Sequence, residues 1–280
     1  MVKNWNSDSI PGPASNLTFN AASLQDQRYM TLTEQTLRQE LAACYRLVAY
    51  FRMSDLIFTH ISLRVPGPEH HFLINPYGLL FDEITASNLV KIDLHGQPVA
   101  PTTHPVNPAG FVIHSAIHAA REDAHCVLHT HTRAGCAVAA LACGLLPVNQ
   151  MSMEFHGKVA YHDYEGIALD LDEQQRLVAD LGDRPVMILR NHGLLTTGRS
   201  VAEAFLRMYY LEKACEIQLA AQSAGQLILP PAAVCERTER QFNAPMQGLK
   251  QGELSDPDAV ALAWGALLRM LERVAPGYRD

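Results

Sequence analysis

The spacing of apolar residues changes along the chain, and each change of period marks a predicted element. Over residues 33–53 the apolar positions recur every three or four residues, which predicts a helix, and Thr31 and Glu34 are spaced for a capping box. Two shorter apolar runs, at residues 57–65 and 71–75, are joined by a Pro-Gly-Pro turn and predict strands. The first helix is therefore expected to lead directly into the first strands of a sheet.

The rest of the chain alternates between helical and strand-like patterns. Helices are predicted at residues 107–121, 133–143, 173–181, 200–224 and 256–274, and strands at residues 126–131, 145–148 and 186–192. Ser200 and Glu203 are spaced for a capping box, whereas Pro230 and Pro231 predict the start of a looser stretch. This alternation predicts an α/β protein, and 280 residues suffice for one large domain or two small ones.

Charge and composition narrow the classes of function. A net charge of −7 disfavours nucleic acid or an anionic membrane as a partner. The longest apolar stretch, residues 136–148, is too short to span a bilayer, and no signal peptide is visible. Because the six cysteines form no Cys-x-x-Cys pair, we expect reduced thiols in a cytoplasmic protein.

Two apolar runs end in histidines, and these carry the main chemical signal. His129 and His131 are two residues apart on a predicted strand, so both side chains point to the same face. A second run, about sixty residues later, ends at His192 and is followed by Gly193. Histidines at strand ends are usually surface or core residues, and the spacing alone leaves that alternative open. We interpret the fold as a scaffold that brings the three imidazoles to one divalent metal ion and leaves positions open for water and substrate.

Other polar residues are weaker candidates. His114 and His118 share one face of a predicted helix and form a possible metal pair, although for His118 we favour a hydrogen-bonded position in the core. Residues 151–164 are rich in polar and aromatic groups and predict a wall of the substrate site.

The order of these motifs resembles the class II aldolase/adducin superfamily. The likeness covers about residues 37–222 and includes Thr-His-Ile-Ser at 59–62, Ile-Asn-Pro-Tyr-Gly-Leu at 74–79, His-Thr-His at 129–131 and Asn-His-Gly at 191–193. The resemblance implies a three-layer α/β/α sandwich around a largely antiparallel sheet, assembled as a tetramer with active sites at subunit interfaces. It also implies one metal ion per subunit on His129, His131 and His192, with zinc expected and iron, manganese or cobalt as alternatives.

Three departures from the aldolase pattern point to the adducin-like bacterial branch. The aldolases carry a glutamate that ligates the metal and moves protons four residues before the helix histidine, but here that position is Gly110. Their pair of phosphate-binding serines corresponds to Pro108 and Ala109, and the Gly-Asn of their first phosphate loop to Thr59 and His60. Proton transfer must then come from elsewhere, and His60, His114, Tyr161 and Tyr164 are the candidates.

Two classes of function remain open. The first is a lyase that uses the metal to cleave or decarboxylate a small hydroxy or oxo acid through an enediolate, with a non-haem Fe(II) oxygenase acting on an aromatic hydroxy acid as a variant. The second is a non-catalytic, metal-stabilised scaffold like the head domain of adducin.

We expect an extended arm at residues 1–28, the aldolase-like domain at 29–228, and an extension with a terminal helix at 229–280. Tyr161, His162 or Tyr164 is expected to act across a subunit boundary.

Overall fold

The computed structural model describes residues 24–166, 171–243 and 259–280, and its centre is one mixed β-sheet. The strands are β1 (His60–Arg64), β2 (Phe72–Ile74), β3 (Val90–Ile92), β4 (Cys126–Thr130), β5 (Val159–His162), β6 (Val186–Leu189) and β7 (Gly193–Gly198). They lie in the order β3-β2-β1-β4-β7-β6-β5. Every neighbouring pair is antiparallel except β5 and β6, so the predicted largely antiparallel sheet is confirmed.

Helices cover both faces of this sheet. The helices are α1 (Leu24–Met30), α2 (Glu34–Tyr50), α3 (Pro108–Ala120), α4 (Arg133–Ala139), α5 (Gln150–Met153), α6 (Leu171–Leu181), α7 (Val201–Ala224), α8 (Ala232–Asn243) and α9 (Ala259–Val274), with a 3₁₀ helix at Phe81–Glu83. Helices α2, α4, α7 and α9 pack together on one face, whereas α3 and α6 pack on the other. The predicted α/β/α sandwich is therefore confirmed.

The alternation of side chains along the central strands decides which face carries the candidate chemistry. On β4, Leu128 belongs to the core beneath α2 and α7, whereas Val127 belongs to the core beneath α3 and α6. His129 follows Val127 by two residues and so points to the α3 face. Ser62 of β1 reaches α3 as well, and His60 lies two residues before it on the strand that pairs with β4.

Several helix boundaries differ from the sequence prediction. The predicted capping box at Thr31 and Glu34 is wrong, because Thr33 is the N-cap and its hydroxyl accepts a hydrogen bond from the backbone N–H of Thr36. Helix α4 ends at Ala139, short of the predicted 143. Residues 232–243, expected to be loose, form α8, because the helix begins directly after the two prolines, where a proline is compatible with the first turn.

The strand prediction failed in the second half of the chain. No strand forms at residues 145–148, where Pro147 lacks the N–H that a strand ladder requires. Strand β7 was not predicted, although it forms a hairpin with β6 and pairs with β4 on the side opposite β1. Its Thr196 and Thr197 look polar in the sequence, but both are buried and their hydroxyls donate to the carbonyls of Ala204 and Pro185.

The two ends of the described chain pack on the sandwich itself. Helix α1 begins inside the predicted arm, where Asp26 pairs with Arg199, while residues 1–23 lie outside the described residues. In α9 the indole N–H of Trp264 donates to Glu40 of α2. The terminal helix therefore covers its own chain, and its predicted start at residues 256–258 lies outside the described part. Within the described ranges, no helix is long and apolar enough to cross a membrane.

Candidate metal centre

The end of β4 and the β6–β7 turn bring three histidines to one point. His129 lies in β4, His131 follows its last residue, and His192 is in the turn between Leu189 and Gly193. The turn passes so close to β4 that a Cβ atom on Gly193 would lie 2.4 Å from the carbonyl oxygen of Thr130. Only glycine fits there, which explains why the His-Gly dipeptide carries a structural signal.

These residues, His129, His131 and His192, are called the three-histidine cluster below. The Nε2 atom of His131 lies 2.9 Å from Nε2 of His129 and 2.9 Å from Nε2 of His192. The cluster is a group of ligand atoms within 4.8 Å of one another, as a metal site requires. The predicted juxtaposition of three imidazoles is therefore present.

The outer ring nitrogens show which atoms face the centre. Nδ1 of His129 lies 2.9 Å from the carbonyl oxygen of Leu194, and Nδ1 of His131 lies 3.0 Å from Oδ2 of Asp55. A carbonyl or a carboxylate only accepts, so both Nδ1 atoms donate outward and the Nε2 atoms face the centre of the cluster. Two lone pairs that face each other at 2.9 Å repel unless a cation lies between them.

A proton on His129 or His192 is a poor candidate for that cation. Burial lowers the pKa of His129 well below its ordinary value, and the neighbouring His192 and His131 add to this effect. Burial and the nearby His131 lower the pKa of His192 to about 4. Neutral imidazoles are ligands for divalent ions such as zinc or Fe(II). A tetrahedral ion bound at about 2.0–2.1 Å needs nitrogens roughly 3.3–3.4 Å apart, so the rings must separate by only about half an ångström.

His114 and His118 belong to a different arrangement, which we call the Ser62 chain (His114, Ser62 and His118). The Ser62 hydroxyl lies 2.7 Å from Nδ1 of His114 and 2.7 Å from Nε2 of His118, and Nδ1 of His118 is 2.9 Å from the carbonyl of Ala124. Since that carbonyl only accepts, His118 donates to it, Ser62 donates to His118, and His114 donates to Ser62. The expectation that His118 is a hydrogen-bonded core histidine is confirmed.

The remaining candidates for proton transfer lie at different distances from the cluster. The His60 ring is 5.8 Å from the His129 ring and 4.1 Å from the His114 ring, and the Tyr164 ring is 6.3 Å from the His192 ring. Tyr161 instead packs on the face of the sheet that carries α7. Its hydroxyl accepts a hydrogen bond from the N–H of Leu145 at 3.0 Å, so within one chain the structure does not bring it to the cluster.

The structure also shows residues that sequence reasoning missed. Asp55 holds His131 from 76 positions away in the chain, and its loop carries no local motif. Position 110 lies one helical turn before His114 in α3 and, being glycine, supplies no carboxylate. Further along, His162 lies between the carboxylates of Asp180 and Glu173. His162 was expected only in the substrate wall and across a subunit boundary, whereas its partners Glu173 and Asp180 were missed, although they are two helical turns apart.

Comparisons with known proteins agree with this geometry. The sequence profile of the class II aldolase and adducin N-terminal domain matches residues 39–219. A protein of Caulobacter vibrioides with a provisional aldolase class 2 name is 51% identical over 249 residues, which span 88% of this chain and 93% of that protein. Alpha-adducin of Rattus norvegicus is 44% identical over 88% of this chain and 34% of its own length.

Solved structures show the same fold. The crystal structure of an aldolase II superfamily protein from Pseudomonas syringae has a TM-score of 0.81 and 55% identity, and the match covers 92% of this chain and 100% of that one. The L-fuculose 1-phosphate aldolase of Glaciozyma antarctica PI12 has a TM-score of 0.75 and 28% identity, covering 90% of this chain and 98% of that one.

Proposed function

Because the chain belongs to the class II aldolase and adducin family, we propose that it is a divalent-metal-dependent lyase acting on a small hydroxy or oxo acid. The observation that carries the proposal is the convergence of the ring nitrogens of the three-histidine cluster within 4.8 Å of one another. Zinc is the expected ion. When bound, a divalent ion at these nitrogens supplies Lewis acidity towards a substrate carbonyl oxygen.

The residues of the chain prepare this site. Asp55 and the carbonyl of Leu194 fix the tautomers of His131 and His129, so both rings present a lone pair rather than an N–H. Tyr164 stands beside His192 with half of its surface exposed, where it can contact a bound acid. His60 is buried beside His129 and closes the side of the site that faces α3.

We further propose that sugar phosphates are poor substrates. The carboxylate expected one turn before His114 is missing at Gly110, and the loss of an acid or base costs about 10²–10⁴-fold in rate. Burial keeps the pKa of His114 well below its ordinary value, so this neighbour of the site offers no positive charge to a phosphate.

Metal-dependent turnover tests the proposal. The protein purified without chelator is offered a panel of short hydroxy and oxo acids, and release of carbonyl products or carbon dioxide is measured. We expect cleavage that a chelator abolishes and added zinc restores. Turnover that survives complete metal removal, or turnover of fuculose or ribulose phosphates at ordinary enzymatic rates, contradicts the proposal.

A scaffold role is the second candidate, because identity to alpha-adducin is 44% whereas identity to the fuculose phosphate aldolase is 28%. The two candidates differ in one measurable respect. A scaffold binds the metal and gains stability from it, but releases no product from any acid in the panel. Fe(II) in place of zinc, with consumption of oxygen, distinguishes the oxygenase variant.

We also propose that the protein assembles as a homotetramer with each metal site near a subunit boundary, and that it acts in the cytoplasm. The family resemblance supports the assembly, and Tyr161 is then available to a neighbouring subunit. Light scattering should give a mass several times 30.9 kDa. A stable monomer with full metal content contradicts this assembly.

A further inference from the structure

A small cavity opens beside His192 on the α6 face of the sheet. Its apolar wall comes from Ile113, Leu177 and Leu189, and its polar wall includes His162 and Glu173. His192, one of the proposed metal ligands, thus borders the same space as a buried histidine and a buried carboxylate. The free volume of this cavity is about 10 Å³, which is room for about one water molecule or one hydroxyl group of a substrate bound at the metal.

The polar wall has an unusual hydrogen-bonding state. Nδ1 of His162 lies 2.7 Å from Oδ2 of Asp180 and donates a hydrogen bond to that carboxylate. Nε2 faces Oε1 of Glu173 at 3.6 Å, and it has no hydrogen-bond partner among the residues that the structure describes. His162 and Glu173 are only 4% and 7% exposed. A buried ring nitrogen and a buried carboxylate oxygen that face each other at this distance can share one proton.

We propose that His162 and Glu173 form the proton-transfer pair of the metal site and take the place of the carboxylate that position 110 lacks. The inference rests on the proposed metal-dependent function and extends it. Arg190 also lines the cavity, but its guanidinium donates to the carbonyl of Leu141 and lies over the Tyr161 ring. Asp163 lines the cavity too but is exposed, so the His162–Glu173 pair is the buried part of this wall that can hold a proton.

The proton balance of a lyase fits such a pair. The pair takes the proton from the substrate hydroxyl, and the carbon that bore the hydroxyl becomes a carbonyl. The adjacent carbon–carbon bond breaks, and its electron pair stays on the departing carbon. The pair then returns the same proton to that carbon, so no oxidant, reductant or further acid is consumed. A substrate of this class carries a hydroxyl that reaches the cavity while its acid group lies at the metal.

Binding of acetohydroxamic acid tests the pair without turnover. This neutral chelator loses one proton when it binds a divalent ion, and calorimetry in buffers of different ionisation enthalpy counts how much of that proton reaches the solvent. In the zinc-loaded wild-type protein we expect the pair to keep the proton. In Glu173→Gln the release should rise by up to about one proton per site, and His162→Gln should give the same change.

Glu165→Gln is the matched control, because Glu165 pairs with Arg176 and does not line the cavity. It should release as few protons as the wild-type protein. Circular dichroism checks that each variant is folded, and the two pair variants test each other if one is unstable. Equal proton release in the wild-type protein and in both folded pair variants overturns the pair alone. Failure of the zinc-loaded wild-type protein to bind the chelator overturns the metal site and this inference with it.

Discussion

Two groups of histidines lie on the same face of the sheet, and they are built in opposite ways. In the three-histidine cluster, the outer nitrogens of His129 and His131 are satisfied by Leu194 and Asp55, and the Nε2 atoms are left to face one another. In the Ser62 chain, the hydroxyl lies between two rings and joins them through ordinary hydrogen bonds. The three-histidine cluster requires a cation between its Nε2 atoms, whereas in the Ser62 chain the hydroxyl and the rings supply the protons of their own hydrogen bonds.

The difference shows how a ligand histidine can be told from a core histidine. Burial does not separate them, because His114, His118 and His129 are each 2% exposed. Their pKa values do not separate them either, because burial lowers all three well below the ordinary value. What differs is the partner of the second ring nitrogen, which decides where the lone pair points.

The largest expected difference between the two groups comes from replacing one histidine in each of them and comparing the zinc affinities. We expect His129→Gln to weaken zinc binding on the order of a thousandfold, because one of three ligands is lost. His118→Gln, which removes an equally buried histidine, should leave the affinity within a few-fold of the wild-type value. Titration calorimetry with zinc checks both. Equal affinities for the two variants contradict the distinction.

Removal of the shared hydroxyl tests the other group. Ser62→Ala leaves Nδ1 of His114 and Nε2 of His118 buried without their partner, which should lower the free energy of unfolding by about 2–4 kcal/mol. Zinc affinity should not change, because Ser62 touches none of the three ligands. Denaturant unfolding of the chelated protein measures the loss. A variant as stable as the wild-type protein shows that the chain is not a structural element.

Acid should weaken the metal-free cluster. The pKa of His192 is about 4 in the folded protein and 6.5 in an unfolded chain, so between these values the unfolded state binds more protons. Stability therefore falls as pH falls through this window, and the loss from this group is about 2 kcal/mol between roughly pH 7.5 and 5. Denaturant unfolding in chelator measures it. His192→Asn should show a smaller loss, and equal slopes for the two proteins contradict the assignment.

The smallest expected effect concerns Asp55, the residue that holds the outer nitrogen of His131. Asp55→Asn keeps the size of the side chain but removes the charge that holds Nδ1 of His131. Zinc affinity should fall about tenfold, near the lower end for such partners because Asp55 is partly exposed. Glu165→Gln, a carboxylate change away from the cluster, is the control. An unchanged zinc affinity in Asp55→Asn means that the contact does not tune the ligand.

The three candidate ligands could be predicted from the sequence because each of them lies in a local residue pattern. His129 and His131 share a face by strand geometry, and His192 precedes a glycine that the close approach of two strands requires. The family resemblance then placed all three on one fold, and the α/β/α sandwich followed from it. Local patterns also predicted α3 and α6. Each segment has apolar residues at helical spacing and is bounded by a residue typical of a helix end, Pro108 at the start of α3 and Gly182 after α6.

The parts that could not be predicted depend on contacts distant in sequence. Asp55 meets His131 only because distant segments are brought together by the observed strand order, and Tyr161 lies on the opposite face to its neighbours Ala160 and His162 once β5 joins the sheet. Strand β7 was missed because its polar threonines are buried by hydrogen bonds to other segments. The proposed pair of His162 and Glu173 forms where a strand end meets a helix, which no spacing rule alone specifies.

Anomalous diffraction from crystals of protein purified without chelator shows directly whether the three-histidine cluster binds a metal ion. Data collected on both sides of a metal absorption edge locate the ion and identify its element. We expect one ion per subunit, bound by Nε2 of His129, His131 and His192 at about 2.0–2.2 Å. No anomalous peak at the cluster after zinc is added, or an ion bound elsewhere with these three nitrogens unligated, would contradict this expectation.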